Sequence, residues 1–262
     1  MPEGDTIFQI ATLLRPILVG RRIRAASMKT GDATDLIERA VVAVEARGKH
    51  LFIEFDAGVT LRTHLGLYGS WHRYAPGEVW RKPVRHAALV LATDRDVLVC
   101  FHAREVEWMA TGGTARRVLH TRLGPDLAVD LIDSATVVAR ARELLPPEAP
   151  LVDVLLEQRV ACGLGNVYKS EVLFLERQSP SRPLGDVPDP RLVALFQLGA
   201  DLLRRNLGGG PRTTRFIDDG RGRLWVYRRR DRPCFDCGEP IRHARLGAGQ
   251  RGTYWCARCQ AG

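Results

Sequence analysis

Two Cys-x-x-Cys pairs near the C-terminus constrain this chain more than any other feature. Cys234-Phe235-Asp236-Cys237 and Cys256-Ala257-Arg258-Cys259 are separated by 18 residues. Each pair can present two thiolates from a tight turn, and the interval is long enough for a hairpin. The pattern fits a closed, tetrahedral four-cysteine zinc site. Disulfides are the poorer reading, because nothing in the sequence points to an oxidising compartment. Four thiolates leave no open coordination position, so one structural zinc ion is expected to organise the fold and take no part in chemistry. Cys100, in the apolar run Val97-Leu98-Val99-Cys100-Phe101, is expected in a core. Cys162, beside a glycine turn, is expected to pack.

The cysteines lie in a basic segment. Net charge is +9, and the whole excess falls in residues 204–262, which hold 14 arginines against five acids. Such a segment suits a polyanion, most often nucleic acid. The bland alternative is compositional bias, since only four of the 39 basic residues are lysines. With 262 residues, 45% of them hydrophobic, the chain can bury the cores of two or three small domains and is not mainly disordered. No run approaches 18 uninterrupted apolar residues, so no membrane span is expected. Met1-Pro2-Glu3-Gly4-Asp5-Thr6 has no basic flank and reads as neither a secretion signal nor a transit peptide. The expected location is cytoplasmic, and nucleoid-associated in a bacterium.

Periodicity divides the chain. Ile7, Ile10, Ala11, Leu14 and Leu18 recur at helical spacing, predicting a helix from Thr6 to about Leu18 capped by Asp5 or Thr6. Strand-like runs follow at 41–45, 50–55, 59–63, 87–92 and 97–101, with turns at 56–58 and 93–96. A leading helix and many short antiparallel strands suggest a β-sandwich. Beyond Asp133 the pattern turns helical, at 134–145 with Ser134 as cap, 151–157, 168–176 and 191–206. Residues 207–223, with five glycines and little apolar content, read as a mobile loop, and Leu224–Tyr227 as a short strand. The expected class is α+β and multidomain: a sandwich over 1–125, a helical domain over 126–223 and a four-cysteine hairpin over 224–262.

Two further features bear on chemistry. Gly163-Leu164-Gly165-Asn166 lies between helices and could place backbone N–H groups and an amide against a phosphate, or could serve only as a connection. At the other end, removal of Met1 would leave Pro2 as the first residue. A terminal proline is a secondary amine that can attack an aldehyde-level carbon and form an iminium ion, with Glu3 in reach as a general acid or base. Many cytosolic proteins begin Met-Pro with no such purpose.

Motifs distributed along the chain supply a context. Pro2-Glu3-Gly4, Arg47-Gly48-Lys49, His64-Leu65-Gly66-Leu67-Tyr68-Gly69, Leu123-Gly124-Pro125-Asp126, Gly163-Leu164-Gly165-Asn166 and Tyr254-Trp255-Cys256-Ala257-Arg258-Cys259-Gln260 occur in order. Together they resemble the formamidopyrimidine-DNA glycosylase/endonuclease VIII family of base-excision repair enzymes, from Pro2 to Gln260. The resemblance implies an N-terminal β-sandwich with a leading helix, a helix–two-turn–helix domain and a zinc β-hairpin. It implies a bifunctional glycosylase and abasic-site lyase acting as a monomer on damaged double-stranded DNA. Pro2 would be the nucleophile at C1′ and Glu3 the acid/base on the sugar. Lys49 would contact the phosphate beside the lesion and support β-elimination. Arg251 would bind phosphates around the flipped nucleotide and serve δ-elimination. Asn166 and Arg122 would grip the DNA backbone.

A base inside a duplex must be flipped out, at a cost of about a few kcal/mol, and the gap is best filled by an apolar wedge. Leu67-Tyr68 at a glycine-flanked tip suits that role, or could be a buried hairpin pair. The Leu-Tyr tip and the short segment before Cys234 place the chain closer to endonuclease VIII than to the 8-oxoguanine enzymes, favouring oxidised pyrimidines. Asp5 and Thr6 depart from the family pattern, which bears on fine substrate preference, and Gly66 stands where endonuclease VIII has a polar wedge-loop residue, which bears on how the opposite base is read. Alternative readings are an 8-oxoguanine/formamidopyrimidine-directed member of the family, a non-catalytic zinc-containing abasic-site binding protein, and a ribosome- or RNA-associated zinc protein.

Overall fold

A computed structural model describes residues 2–261, apart from the side chains of Ala115 and His120. Met1, whose removal the chemistry above requires, lies outside the described residues. The chain divides into two compact units, Met1–Arg122 and Leu123–Gly262. The helices beyond residue 123 and the four-cysteine hairpin belong to the second.

In the first unit, α1 (Gly4–Leu18) leads into eight strands: β1 (Ala25–Met28), β2 (Val41–Arg47), β3 (His50–Phe55), β4 (Val59–His64), β5 (Ser70–Tyr74), β6 (Ala87–Ala92), β7 (Val97–Phe101) and β8 (Glu105–Ala110). They form two antiparallel four-stranded sheets, ordered β1-β6-β7-β5 and β2-β3-β4-β8. A common core joins them. Leu51, Ile53 and Leu61 of one sheet meet Leu89, Leu91, Leu98 and Cys100 of the other, and Ile7, Ala11, Leu14 and Leu18 of α1 seal it. This is the expected sandwich with its leading helix, and Cys100 is buried in it. The helix begins earlier than expected. Glu3, not Asp5 or Thr6, is the N-cap, and the buried Asp5 sits in the first turn, where an acid suits the positive end of the helix. Pro16 lies inside α1. α2 (Thr114–Arg122) closes the unit.

The second unit holds α3 (Ser134–Leu144), α4 (Leu151–Leu156), α5 (Asn166–Leu175) and α6 (Asp189–Arg205), then the hairpin of β9 (Ile241–Leu246) and β10 (Arg251–Cys256). α3 is capped by Asp133, whose carboxylate accepts the N–H groups of Ala135 and Thr136 at 3.2 Å each. The expected cap, Ser134, is the first helical residue. Leu151, Leu155, Tyr168, Val172, Leu192, Leu195, Phe196 and Leu203 make the helical core.

Two further segments differ from the sequence expectation. Leu224–Tyr227 is not a strand. The N–H groups of Trp225, Val226 and Tyr227 donate to the buried carboxylate of Glu171 at 2.7, 2.9 and 2.8 Å, so they are satisfied without a ladder. The segment 207–223 is tied down at several points. The Asn206 amide bonds the Thr213 N–H and carbonyl, the Thr214 hydroxyl donates to Glu171, and Asp219 pairs with Arg215 and Arg221.

Candidate functional site

At the start of α1, Glu3 has no exposed surface. It holds an extended N-cap backbone, and its carbonyl accepts the Ile7 N–H at 3.1 Å. Pro2 precedes it and is partly buried. The adjoining Asp5 carboxylate accepts the N–H of Thr6 at 2.7 Å.

Lys49 lies in the two-residue turn between β2 and β3, where Arg47 pairs with His50 and Gly48 takes a left-handed φ of 56°. Across the β3–β4 ladder His50 faces His64, ring centroids 5.0 Å apart. Burial pushes the pKa of His64 down, the charges of Lys49, Arg62 and Arg104 push it the same way, and Glu105 opposes them. His64 Nδ1 is buried with no hydrogen-bond partner among the described residues. Beneath this pair Arg62, 5% exposed, is bonded to His50 Nδ1 at 2.8 Å and to Glu105 and Glu107 at 2.7 Å each. Lys49 thus projects from a turn fixed by a charged network that sequence reading does not single out. The only signal for it was the alternation of polar residues along β4.

The 65–69 turn leaves Leu67 43% and Tyr68 79% exposed, so they are not a buried hairpin pair. Both flanking glycines are required by the geometry. A Cβ at Gly69 would lie 2.4 Å from the Leu65 carbonyl oxygen. Gly66, at φ +62°, would bring one to 3.0 Å from Arg104 Cβ. The Gly66 departure therefore serves the turn itself. Arg122 is the exposed last residue of α2.

In the second unit, two of the motifs form one structural element. Gly124 N–H donates to Gln158 O at 2.9 Å, Cys162 N–H to Pro125 O at 2.8 Å and Leu127 N–H to Cys162 O at 3.1 Å. A Cβ at Gly124 would sit 2.3 Å from the Val160 carbonyl oxygen. Buried Cys162 packs there as expected. The Gln158 amide then clamps the glycine turn, accepting from Gly163 N–H and donating to Leu164 O, both at 3.2 Å. This turn delivers Asn166 as the first residue of α5. Arg251 opens β10, opposite Leu246, and is exposed.

The hairpin brings all four cysteines together, their Sγ atoms within 4.8 Å of one another. Cys237–Cys256 and Cys234–Cys259 are 3.4 and 3.9 Å apart. Four thiolates at the zinc–sulfur bond length of about 2.3 Å would stand about 3.8 Å apart in a tetrahedron, so the cluster has the size and donor set for such an ion. Phe174 of α5 and Val226 pack against it.

The arginine excess is divided between structure and surface. Arg215, 2% exposed, lies over the rings of Trp225 and Phe235 and pairs with Asp219. The hydrogen bond from Arg215, helped by Arg221, holds the Asp219 carboxyl well below the usual carboxylate range. Arg229 lies 3.3 Å over the Phe235 ring. Arg212, Arg221, Arg223, Arg229 and Arg232 line a cavity of about 580 Å³. Among the described residues no helix is long and apolar enough to cross a membrane.

Comparison with known proteins follows the same lines. The Formamidopyrimidine-DNA glycosylase N-terminal domain matches residues 1–108. A protein named probable endonuclease 8 2, from Streptomyces coelicolor, is 38% identical over 100% of this chain and 95% of its own. The DNA-(apurinic or apyrimidinic site) lyase Nei2 of Mycolicibacterium smegmatis is 35% identical over 99% of both. In fold, the chain is similar to Lactococcus lactis formamidopyrimidine-DNA glycosylase bound to DNA containing an abasic site, with a TM-score of 0.84 at 22% identity over 99% of this chain and 100% of that one.

Proposed function

Because the chain belongs to the formamidopyrimidine-DNA glycosylase and endonuclease 8 family, we propose that it is a bifunctional glycosylase and abasic-site lyase of base-excision repair. The observation that carries the reading is Glu3: an acid with no exposed surface, fixed at the start of a helix directly after Pro2. With Met1 removed, the Pro2 nitrogen attacks C1′ of the damaged nucleotide. The C1′–N bond breaks, and the base leaves with that electron pair and a proton. Glu3 gives a proton to the ring oxygen as the sugar opens, leaving an iminium between Pro2 and C1′. Loss of a C2′ proton then expels the 3′ phosphate. Water then hydrolyses the iminium and returns the amine, either directly or after loss of a C4′ proton has expelled the 5′ phosphate as well.

The other residues bind and orient. Lys49 takes the phosphate beside the lesion, with His64 next to it, and Arg251 those around the flipped nucleotide. Asn166 and Arg122 hold the backbone, and Leu67 and Tyr68 fill the stack. Charge-assisted contacts from these cations make binding fall steeply with salt. Cys234, Cys237, Cys256 and Cys259 would hold one zinc ion, which supplies no chemistry and braces the hairpin that carries Arg251. The reading includes the three-part division at residues 125 and 223, a monomer and a cytoplasmic location.

Oxidised pyrimidines are the proposed lesions, supported by the Leu67-Tyr68 tip and by relatives named endonuclease 8. Borohydride trapping on duplexes carrying dihydrouracil, 8-oxoguanine opposite cytosine, an abasic site or no damage tests all of this. The expected result is a covalent adduct on dihydrouracil and the abasic site, weak on 8-oxoguanine, with the linkage mapped by mass spectrometry to Pro2. An adduct mainly on 8-oxoguanine keeps the mechanism and overturns the lesion class. An adduct at another residue overturns the nucleophile. Its absence from every duplex, with Met1 removed, leaves the non-catalytic binding reading.

A further inference from the structure

The chain has four lysines, and Lys169 is fully buried. It lies on α5, one turn beyond Asn166, and reaches across to the cysteine hairpin. Its ammonium donates to the Thr253 hydroxyl at 2.8 Å and to the Gly252 carbonyl at 3.3 Å. The same Thr253 hydroxyl donates to the carbonyl of Arg251 at 3.1 Å. One hydroxyl can accept from an ammonium and donate to a carbonyl at once, so the three groups form a directed chain ending on the Arg251 backbone. Thr253 has no exposed surface, which shields the chain from competing water.

The rest of this end of the hairpin is held in the same way. The N–H of Tyr254 donates to Ser170 Oγ at 3.4 Å. The tip of the turn sits on α4, where Asp153 accepts the Ala248 N–H at 2.8 Å. A Cβ at Gly247 would lie 2.1 Å from Asp153 Oδ1. The cysteines anchor the opposite end, around Cys256. Arg251 stands at the end farthest along β10 from that cluster, so the metal alone does not fix its backbone.

We infer that Lys169 is a positioning residue for Arg251: through Thr253 it sets where the β10 backbone presents the arginine, and so couples the helix that begins with Asn166 to the second phosphate contact. This rests on the proposed reading of Arg251 as a DNA contact. Burying a rotamer-rich side chain such as lysine costs conformational freedom, which is given up here for a fixed bond where an apolar residue would pack more simply.

The test is a double-mutant cycle on the full, zinc-loaded protein. Lys169→Met, Thr253→Val and Arg251→Ala are made singly, and the first two are combined with the third. Binding to an abasic-site duplex is measured, with steady-state lyase kinetics and zinc content. Lys169→Met and Thr253→Val should each raise Kd and KM about tenfold while kcat changes less than twofold and zinc stays at one per chain. In the Arg251→Ala background neither should weaken binding further, and Lys169→Arg should restore part of the loss. Tenfold losses that persist in the Arg251→Ala background overturn the inference, as does wild-type binding by both variants. If Lys169→Met loses zinc, Thr253→Val, which leaves the lysine in place, decides alone. Wild-type binding by Arg251→Ala itself would overturn the reading of Arg251, a failure distinguishable from failure of the coupling.

Discussion

Glu171 offers a sharp test of how the second unit is held together. Its carboxylate has no exposed surface and accepts four hydrogen bonds, from the N–H groups of Trp225, Val226 and Tyr227 and from the Thr214 hydroxyl. Burial pushes its pKa up, and these four donors oppose that shift. Glu171→Ala strands all four. Trp225 and Tyr227 are partly exposed and can regain water. Val226 and Thr214 are buried and cannot. At about 1–3 kcal/mol per stranded buried donor, the loss is about 2–6 kcal/mol. Glu171→Gln turns an amide NH₂ toward two of the donors and should fall at the low end of that range. Urea denaturation gives the stability change, and hydrogen exchange gives its location. Protection of the 225–227 amides should drop in both variants, while α3 and α6 change only with global stability. A loss below about 1 kcal/mol, or unchanged protection at 225–227, would refute the argument that this one carboxylate organises the segment.

Three other outcomes are expected. Gly124→Ala drives a methyl group into the Val160 carbonyl, 2.3 Å away in backbone that cannot yield cheaply, and thermal denaturation should register a loss of about 1–3 kcal/mol or more. His64 has a depressed pKa in a setting made by Lys49, Arg62, Arg104 and Glu105. Its share of stability is therefore full above the ordinary histidine pKa of about 6.5 and is lost as the pH falls below it, since the unfolded chain then binds the extra proton. Melting curves between pH 8 and pH 5 should show a shallower acid-side decline in His64→Gln than in the parent. Leu67→Ala and Tyr68→Ala remove exposed side chains, so stability should move by no more than about 0.5 kcal/mol while excision from duplex falls far more than cleavage of a single-stranded abasic site.

The parts of the fold that were legible in the sequence were those with a continuous apolar signature. α1, β3, β6, β7 and α6 all carry one. Three strands escaped, and each lies at a sheet edge: β1 and β5 flank one sheet, and β8 ends the other. An edge strand is short and half wetted, so Ser70-Trp71-His72-Arg73-Tyr74 shows no run for periodicity to catch. α2, Thr114–Arg122, is polar nearly throughout and escaped for the same reason. The candidate site divides similarly. Pro2, Lys49, Asn166 and the cysteines stood out because local motifs flag them. Arg62, Lys169 and Glu171 did not, because a buried charge is meaningful only through its partners. Glu105 is 43 residues from Arg62, Thr253 is 84 from Lys169, and Val226 is 55 from Glu171. No local window contains those pairs.

The strand order of the first unit also sets an expectation for the order of folding. β2, β3 and β4 form a meander closed by short turns at 48–49 and 56–58, and α1 packs against β2 beside the Val19–Val41 bridge. These pairings span few residues and cost little loop entropy. β1, which follows α1 almost at once in the chain, must wait for β6, since Ala25 pairs with Ala92. The helix capped by Glu3 is thus expected to seat on its meander before the neighbouring strand finds its partner. Substitutions within the meander should slow refolding in a chevron experiment, whereas those at the β1–β6 seam should chiefly speed unfolding. The amine end of the chain would be in place early, and the wall of the sandwich would close behind it.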